Sequence, residues 1–362
     1  MAHRIALATC MRNEGIFLLE WLAYHVALGF EQIVIVTNDC TDESDILLDL
    51  LAEHGLVRHI RQSVPPGGSP QNRGMDIVLR LARDEGLSHI LHIDSDEFLY
   101  VPHGLSALLA RTRDADVVPI PWRLFGDNGL SEWHPGDLVI ECNVRAETAP
   151  EPGKAKSKCL FKVASFGRAT DHNPRDPLVS DPLVLSPDGE ELRNGTLYQP
   201  KSARFRPHDV ATRAKTAQIF HYGVRSEDTF MMKNHRGDGQ GKQGDTKYHI
   251  GSHWHRMANI NETAAPEMAA YLPALKKRLA KWRAVPEIAR AEHACQDRFR
   301  QDRAQFLTAE NIAARTRGKA PPPLDHGTSR SRQAARSPAA LRGHPHDPSE
   351  RSRVKPGRGG AR

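Results

Sequence analysis

Over the first 120 positions, short apolar clusters alternate with longer stretches of mixed, helix-forming residues. Residues 4–9 are an apolar run of strand length. Residues 14–28 place Phe17, Leu18, Trp21, Leu22, His25 and Leu28 near a 3.6-residue period, which predicts an amphipathic helix ended by Gly29. The β-branched run 32–37 predicts a second strand. Residues 42–54 predict a helix stopped by Gly55, and 56–60 a third strand. The Pro- and Gly-rich stretch 65–70 reads as a loop, 72–85 as a helix stopped by Gly86, and 89–93 as a fourth strand. This alternation predicts βαβ units, so a largely parallel sheet with helices on both faces. Ligands in such sheets lie beyond the carboxyl ends of the strands. Residues 9–14, 38–42 and 94–97 all fall at such ends, and each carries polar side chains.

The third of these rims carries the most information. Ile90, Leu91 and Ile93 supply a buried strand, and Asp94, Asp96 and Glu97 follow within four positions. Carboxylates cost several kcal/mol when buried unpaired, so a core strand ending this way needs compensation. Mg²⁺ and Mn²⁺ prefer oxygen ligands and keep positions open for substrate phosphates. Asp-x-Asp here is therefore a candidate for a metal that carries a diphosphate. The structural alternative is a strand ending in a solvated acidic turn.

Past residue 117 the pattern changes. Strands are harder to define to about 260, 171–200 reads as a long loop or insertion, and 221–255 is rich in Gly, Lys and His. Helical periodicity returns over 264–310, broken at Pro286. From about residue 315 the chain is Pro, Ser, Gly, Ala and Arg, a composition predicted to stay disordered.

Composition matters through its distribution. The 362 residues carry a net charge of +6. Residues 315–362 hold 12 Lys or Arg and 3 Asp or Glu, so the preceding part is slightly acidic. The basic character belongs to the tail, which has no aromatic residue for base stacking, and nucleic acid is not expected as a partner. The tail is a candidate for peripheral contact with an anionic membrane. Five cysteines without paired spacing predict reduced thiols, hence a cytoplasmic setting, with the tail reaching the inner membrane at most. The N-terminal apolar run is too short for a signal peptide, and no stretch reaches the ~20 apolar residues of a membrane span.

Other clusters have a bland and a chemical reading. Asn13 is a candidate helix cap, while Asn13 and Glu14 could hydrogen-bond a base or ribose. Thr41 or Asp42 would cap the helix at Ser44, leaving Asp39 to accept from a pyrimidine imide. Gln71 and Arg73 open the third helix, where an anion would be attracted. His221 follows the apolar run 216–220 and could end a strand near the metal. Residues 233–241, beginning at Lys233, could close over a diphosphate as a lid, but they do not match a P-loop.

Met11-Arg12-Asn13-Glu14, Glu20-Trp21-Leu22-Ala23-Tyr24-His25, Leu28-Gly29-Phe30, Asn38-Asp39-Cys40-Thr41-Asp42 and Ile93-Asp94-Ser95-Asp96-Glu97-Phe98 occur in that order. This series resembles the family 2-like glycosyltransferases of the GT-A fold, in the bacterial branch similar to family 92. The likeness runs over about residues 4–240. It extends more weakly to Phe125-Gly126-Asp127-Asn128-Gly129, residues 158–162, His172, His221-Tyr222, Arg225-Ser226, Phe230, Lys233 and Gly237.

The resemblance implies a Rossmann-like, mixed and mainly parallel α/β sheet flanked by helices. Residues 1–260 would form the GT-A domain, with 1–120 the nucleotide-sugar-binding half and 121–260 the acceptor half. A helical extension over 261–314 and the tail 315–362 would follow. It implies a nucleotide-sugar donor, a glycan or glycolipid acceptor of the bacterial surface-polysaccharide kind, Mn²⁺ or Mg²⁺, and inversion at the sugar carbon. Asn13, Glu14, Asp39, Gln71, Arg73, Asp94 and Lys233 would hold the donor, and Asp94, Asp96 and His221 the metal. For the base, Asp127 in the Phe-Gly-Asp-Asn-Gly turn ranks first and Glu132 second, with Asp171 also a candidate. The alternatives are a nucleotidyltransferase, whose glycine-rich signature is absent from residues 10–15, and a non-catalytic nucleotide-sugar- or anion-binding protein.

Overall fold

The computed structural model describes residues 4–192, 209–237 and 247–316. The basic tail and part of the 233–241 segment lie outside these residues. The strands are β1 (Ile5–Met11), β2 (Gln32–Thr37), β3 (Arg58–Arg61), β4 (His89–His92), β5 (Glu97–Tyr100), β6 (Val117–Leu124), β7 (Arg145–Ala146), β8 (Ser157–Lys162), β9 (Phe166–Ala169), β10 (Pro174–Pro177), β11 (Gln218–His221) and β12 (Thr263–Ala264). The helices are α1 (Gly15–Leu28), α2 (Ser44–Glu53), α3 (Pro70–Asp84), α4 (Leu105–Arg111), α5 (Val139–Cys142), α6 (Asp209–Thr212), α7 (Glu227–Arg236), α8 (His253–Ala258), α9 (Leu272–Arg283), α10 (Pro286–Phe306) and α11 (Ala309–Thr316).

Eight strands form one sheet in the order β3-β2-β1-β4-β8-β6-β11-β5. β3, β2, β1 and β4 run parallel, with Ala6 opposite Gln32 on one side and Ile90 on the other. β8 is antiparallel to both β4 and β6, β11 is parallel to β6, and β5 is antiparallel to β11. The sheet is therefore mixed and mainly parallel, flanked by helices. Apart from the edge strand β3, its strands are largely buried on both faces. Ile5, Leu7, Ile33, Ile35 and Leu91 enter the core shared with α1, α2, α9 and α10, while Ala6, Ala8, Val34, Val36 and Ile90 enter the core under α3.

The second half of the sheet folds back on the first. Residues 93–96 alone separate β4 from β5, and the link from His92 to Glu97 reaches at most about 17 Å when extended. Yet β4 and β5 stand fourth and eighth in the strand order, about 19 Å apart on a flat sheet with strands about 4.8 Å apart. The Glu97 N–H also donates to the Asp94 carbonyl at 3.1 Å, which shortens the link further. The far edge must curl towards the end of β4, and the Asp94–Asp96 turn sits at that closure.

The first helix differs from its sequence reading. Its periodicity predicts one apolar face, but Gly15 and every residue from Phe17 to His25 are buried. The reason is that α9 and α10 pack over its outer side. A Cβ on Gly15 would come within 2.7 Å of Cys295 on α10, so bare backbone is required there. Asn13 does not cap this helix; the Gly15 N–H donates instead to Asp42 at 2.8 Å. Asp42 also accepts from the Ser44 N–H at 3.0 Å, which ties the starts of α1 and α2 to one carboxylate.

The Glu20-Trp21-x-x-Tyr24-His25 series acts on the edge strand. Trp21 Nε1 donates to the Glu97 carbonyl at 2.9 Å and the Tyr24 hydroxyl to the Leu99 carbonyl at 2.7 Å. His25 Nε2 accepts from the Leu99 N–H at 3.3 Å. An edge strand presents unpaired backbone groups, and here α1 satisfies those of β5. Glu20 is buried and accepts from the Val139 and Ile140 N–H groups at 2.8 and 3.0 Å. Burial pushes its carboxyl up to about 7, against those two hydrogen bonds.

Candidate functional site

The carboxyl ends of β1, β2 and β4 converge with the end of β11 and the start of α3 around a cavity of about 270 Å³. Met11, Arg12, Asn38, Gln71, Asp94 and Asp96 line one end, and Trp122, Lys156, Asp171, His172, Tyr248 and Trp254 are on its wall with His221 and Lys233.

The two aspartates face different partners. Asp94 Oδ1 accepts from Gln71 Nε2 at 3.0 Å, and Oδ2 from Lys158 Nζ at 2.9 Å. Lys158 is fully buried on β8 and also donates to the Asp171 carbonyl at 2.9 Å, with the buried Glu97 3.7 Å away. Burial disfavours the Lys158 ammonium, but Asp94, Glu97 and Asp171 outweigh it and keep the group charged. Glu97 is pushed well up by burial, although Lys158 opposes this.

Asp96 Oδ2 accepts from Lys233 Nζ at 2.7 Å, and Oδ1 lies 3.6 Å from His221 Nε2. Lys233 donates as well to the Gly223 carbonyl at 2.7 Å. Burial works against ionisation of Asp96, yet the charge of Lys233, with that of Arg225, holds the carboxyl well below the usual carboxylate range. His221 is lowered to about 4, chiefly by burial, so its ring is neutral at pH 7. That ring stacks on Trp122 with centroids 4.3 Å apart, and its Nδ1 is buried without a hydrogen-bond partner.

Six residues expected at the site from sequence meet in this cavity: Gln71, Asp94, Asp96, Asp171, His221 and Lys233. The others lie elsewhere. Asn13 Nδ2 and Oδ1 bond the Thr41 hydroxyl and N–H, each at 2.9 Å. Glu14 is a buried ion-pair partner of Arg225 at 2.9 Å and of Arg236. Both line a neighbouring cavity of about 50 Å³, separate from the larger one but sharing Lys233 and Arg236 with it. Asp39 and Arg73 are exposed and line neither cavity. Asp127 is buried at the β6 end, where its carboxylate accepts from the Gly129 N–H, Asn259 Nδ2 and Asn261 Nδ2 at 2.9, 2.7 and 3.3 Å. Glu132 is a surface carboxylate 3.5 Å from Arg303. Neither lines the larger cavity; the carboxylates that do are Asp94, Asp96 and Asp171.

Sequence reasoning passed over Lys158, Lys156, Trp122 and Trp254. Lys158 had a signal: a lysine inside the otherwise strand-like residues 157–161 has to pair with something. The others had none, because they come from separate loops and strands brought together by the curl.

For a divalent cation, Asp96 and His221 fit: one carboxylate and one neutral imidazole, 3.6 Å apart. Such an ion is commonly held by few protein groups plus water and substrate phosphate. Asp94 does not fit, because both its oxygens already accept, and among the described residues no three His, Cys, Asp or Glu side chains gather as a ligand set.

No protein-family profile matches the chain. A glycosyltransferase family 92 protein of Ricinus communis is 34% identical over 107 residues, which is 29% of this chain and 18% of that protein. Another of Oryza sativa subsp. japonica is 29% identical over 103 residues, 28% and 17% of the two chains. The chain thus spans less than a fifth of the length of these curated relatives. Among solved structures, residues 1–349 of S. aureus TarS align with TM-score 0.31 and 14% identity over 44% of this chain and 47% of that one. Glucosyl-3-phosphoglycerate synthase of Mycobacterium tuberculosis, solved with Mn²⁺, UDP and glucosyl-3-phosphoglycerate, aligns with TM-score 0.25 and 18% identity over 34% and 45%. The sequence resemblance to glycosyltransferases similar to family 92 is met again in these curated relatives. No helix among the described residues is long and apolar enough to cross a membrane.

Proposed function

We propose that this chain is a glycosyltransferase that binds a nucleotide-sugar with its diphosphate at Asp96, Lys233 and His221. A single observation carries the reading: the carboxylate at the end of β4 is held ionised, at 2.7 Å from a lysine on α7, inside a cavity roofed by aromatic and basic side chains. A solvated acidic turn would have neither the burial nor the paired lysine.

In the transfer, the acceptor hydroxyl oxygen forms a bond to the sugar carbon and the bond from that carbon to the diphosphate breaks. The electron pair leaves with the diphosphate, and the hydroxyl proton goes to a carboxylate. Asp171 is the base in this reading, with inversion at the carbon, because it lines the cavity and neither Asp127 nor Glu132 does. Its side chain is 14% exposed and lies 3.6 Å from His172 Nε2. Lys233 carries positive charge where the departing diphosphate develops negative charge, a preorganised stabilisation of the leaving group. Mn²⁺ or Mg²⁺ held by Asp96 and His221 would supply further neutralisation of that charge. The acceptor is a glycan or glycolipid entering past Trp254, which is 38% exposed at the cavity wall.

The test is a thermal-shift series with nucleoside diphosphates, with and without Mn²⁺, on the wild type and Asp96→Ala. Stabilisation by one nucleotide, strengthened by Mn²⁺ and lost in the variant, supports the reading. A folded wild type that no nucleotide stabilises overturns it in favour of a non-catalytic role.

A further inference from the structure

Asp127 is buried just past β6 and does not line the larger cavity, yet its partners reach the cavity wall. Its Oδ2 accepts from Asn259 Nδ2 at 2.7 Å, and its Oδ1 from the Gly129 N–H at 2.9 Å and Asn261 Nδ2 at 3.3 Å. The two amides also bond in the other direction. Asn259 Oδ1 accepts from the Asp127 N–H at 2.8 Å, and Asn261 Oδ1 from the Asn128 N–H at 3.0 Å. Backbone N–H groups can only donate and a carboxylate can only accept, so both amide orientations are fixed. The turn is shaped for this fit. A Cβ on Gly126 would overlap the Asn261 amide, and Asn128 takes a left-handed φ of 55°.

Asn259 is the C-terminal cap of α8, where its N–H donates to the His255 carbonyl at 2.8 Å. α8 carries Trp254 and Ala258 into the wall of the larger cavity. It is six residues long, and none of them is buried. So short a helix has little stability of its own, and its position depends on what fastens it. Ala258 sits beside Gly223, where a Cβ on the glycine would come within 3.1 Å of Ala258 Cβ. His255 packs on Phe230 with ring centres 5.4 Å apart. The Asp127 turn adds the hydrogen bonds that grip the C-terminal end.

We infer that Asp127 is a positioning residue for acceptor binding: through Asn259 it holds α8 so that the Trp254 indole forms the surface on which the apolar face of an acceptor sugar packs. The inference rests on the glycosyltransferase reading and adds to it what sets the acceptor wall. An asparagine at position 127 would keep the shape but turn an amide N–H towards a donor of Asn259 or Asn261. One amide would then have to flip, and the backbone N–H it served would lose its acceptor.

Trp254 reports on its own placement, because it is 38% exposed while the other four tryptophans are buried. The experiment uses the full chain with the stabilising nucleoside diphosphate. It measures acrylamide quenching of the emission that Trp254→Phe removes, and binding of the methyl glycosides of glucose, galactose and mannose. The wild type should bind at least one glycoside with a change in Trp254 emission. Asp127→Asn and Asn259→Ala should each weaken that binding about fivefold or more and alter the quenching, with nucleotide affinity kept. Combining these two should be no worse than either alone, since both cut the same link. Exchanging the pair, Asp127→Asn with Asn259→Asp, sets a carboxylate opposite an amide again and should restore binding. If a single variant does not fold, the exchanged pair decides, and a folded exchange that binds no glycoside overturns the inference. So do binding and quenching unchanged in both single variants, an effect of Asp127→Asn that Asn259→Ala does not share, or a wild type that binds nucleotide but no glycoside. Each of these leaves the donor site standing. Loss of nucleotide binding in the wild type would be failure of the donor reading itself.

Discussion

Lys233 Nζ on α7 lies 2.7 Å from Asp96 Oδ2 in the turn after β4, although 137 residues separate them in the chain. The pair joins the parallel half of the sheet to the helix after β11. Both side chains are about nine-tenths buried, so neither can be removed without leaving a charge uncompensated. Lys233→Met is expected to cost about 3–5 kcal/mol of stability and to weaken nucleoside diphosphate binding tenfold or more. Urea unfolding and calorimetric titration check the two effects. Lys233→Arg should keep most of the binding, and an affinity unchanged in Lys233→Met would remove Lys233 from the donor site.

Lys158 has the same role for Asp94, from the opposite side. Its full burial between Asp94 and Glu97 makes Lys158→Met destabilising by several kcal/mol. Adding Glu97→Gln to that variant should recover part of the loss, since the second buried carboxyl no longer needs a cation. A double-mutant cycle in urea measures the coupling; additive losses would show that Lys158 and Glu97 act independently.

Asp171→Asn should lower kcat by a factor of about 100 or more while leaving the acceptor KM within a few fold, as expected for loss of a general base. Asp127→Asn and Glu132→Gln should leave kcat within a few fold. Steady-state kinetics with a working acceptor decides it, and a large fall in kcat for Asp127→Asn with normal stability would return the base to the β6 turn.

His25 makes folding sensitive to acid. Its Nδ1 lies 2.8 Å from the Trp21 carbonyl, which can only accept, and its Nε2 faces the Leu99 N–H, which can only donate. The neutral tautomer with the proton on Nδ1 meets both demands, and burial lowers the ring to about 3. A folded value below the unfolded one, about 6.5, means the unfolded chain binds the extra proton. The stabilisation is present above pH 6.5 and is lost progressively as pH falls towards 3. His25→Gln keeps a donor and an acceptor but does not titrate. Its stability should fall less steeply between pH 6.5 and 4 than that of the wild type in denaturant titrations; parallel pH profiles would refute the assignment.

The first four strands and three helices were legible because their signals are local. A period of two or 3.6, a stop at Gly29, Gly55 or Gly86, and a β-branched run depend on neighbours in sequence. The strand β5 was not legible as a separate element, since its partner β11 lies about 120 positions on. The Glu-Trp-x-x-Tyr-His series stood out in the sequence, but its work, satisfying the backbone of β5, needed that edge to exist.

The same division runs through the site. The sequence alone determined that Asp94 and Asp96 end a buried strand on the rim where a parallel sheet binds ligands. Tertiary structure decided what each meets: Lys158 from β8 on Asp94, Lys233 and His221 on Asp96. It also separated Glu14, Asp39, Arg73, Asp127 and Glu132 from the cavity, placed the third-ranked Asp171 on it and brought in Trp122 and Lys156. The physical reason is range. Hydrophobic period and chain direction are written in a few consecutive residues, whereas the partner of a buried charge is chosen by how the far edge of the sheet curls back, and that is a property of the whole chain.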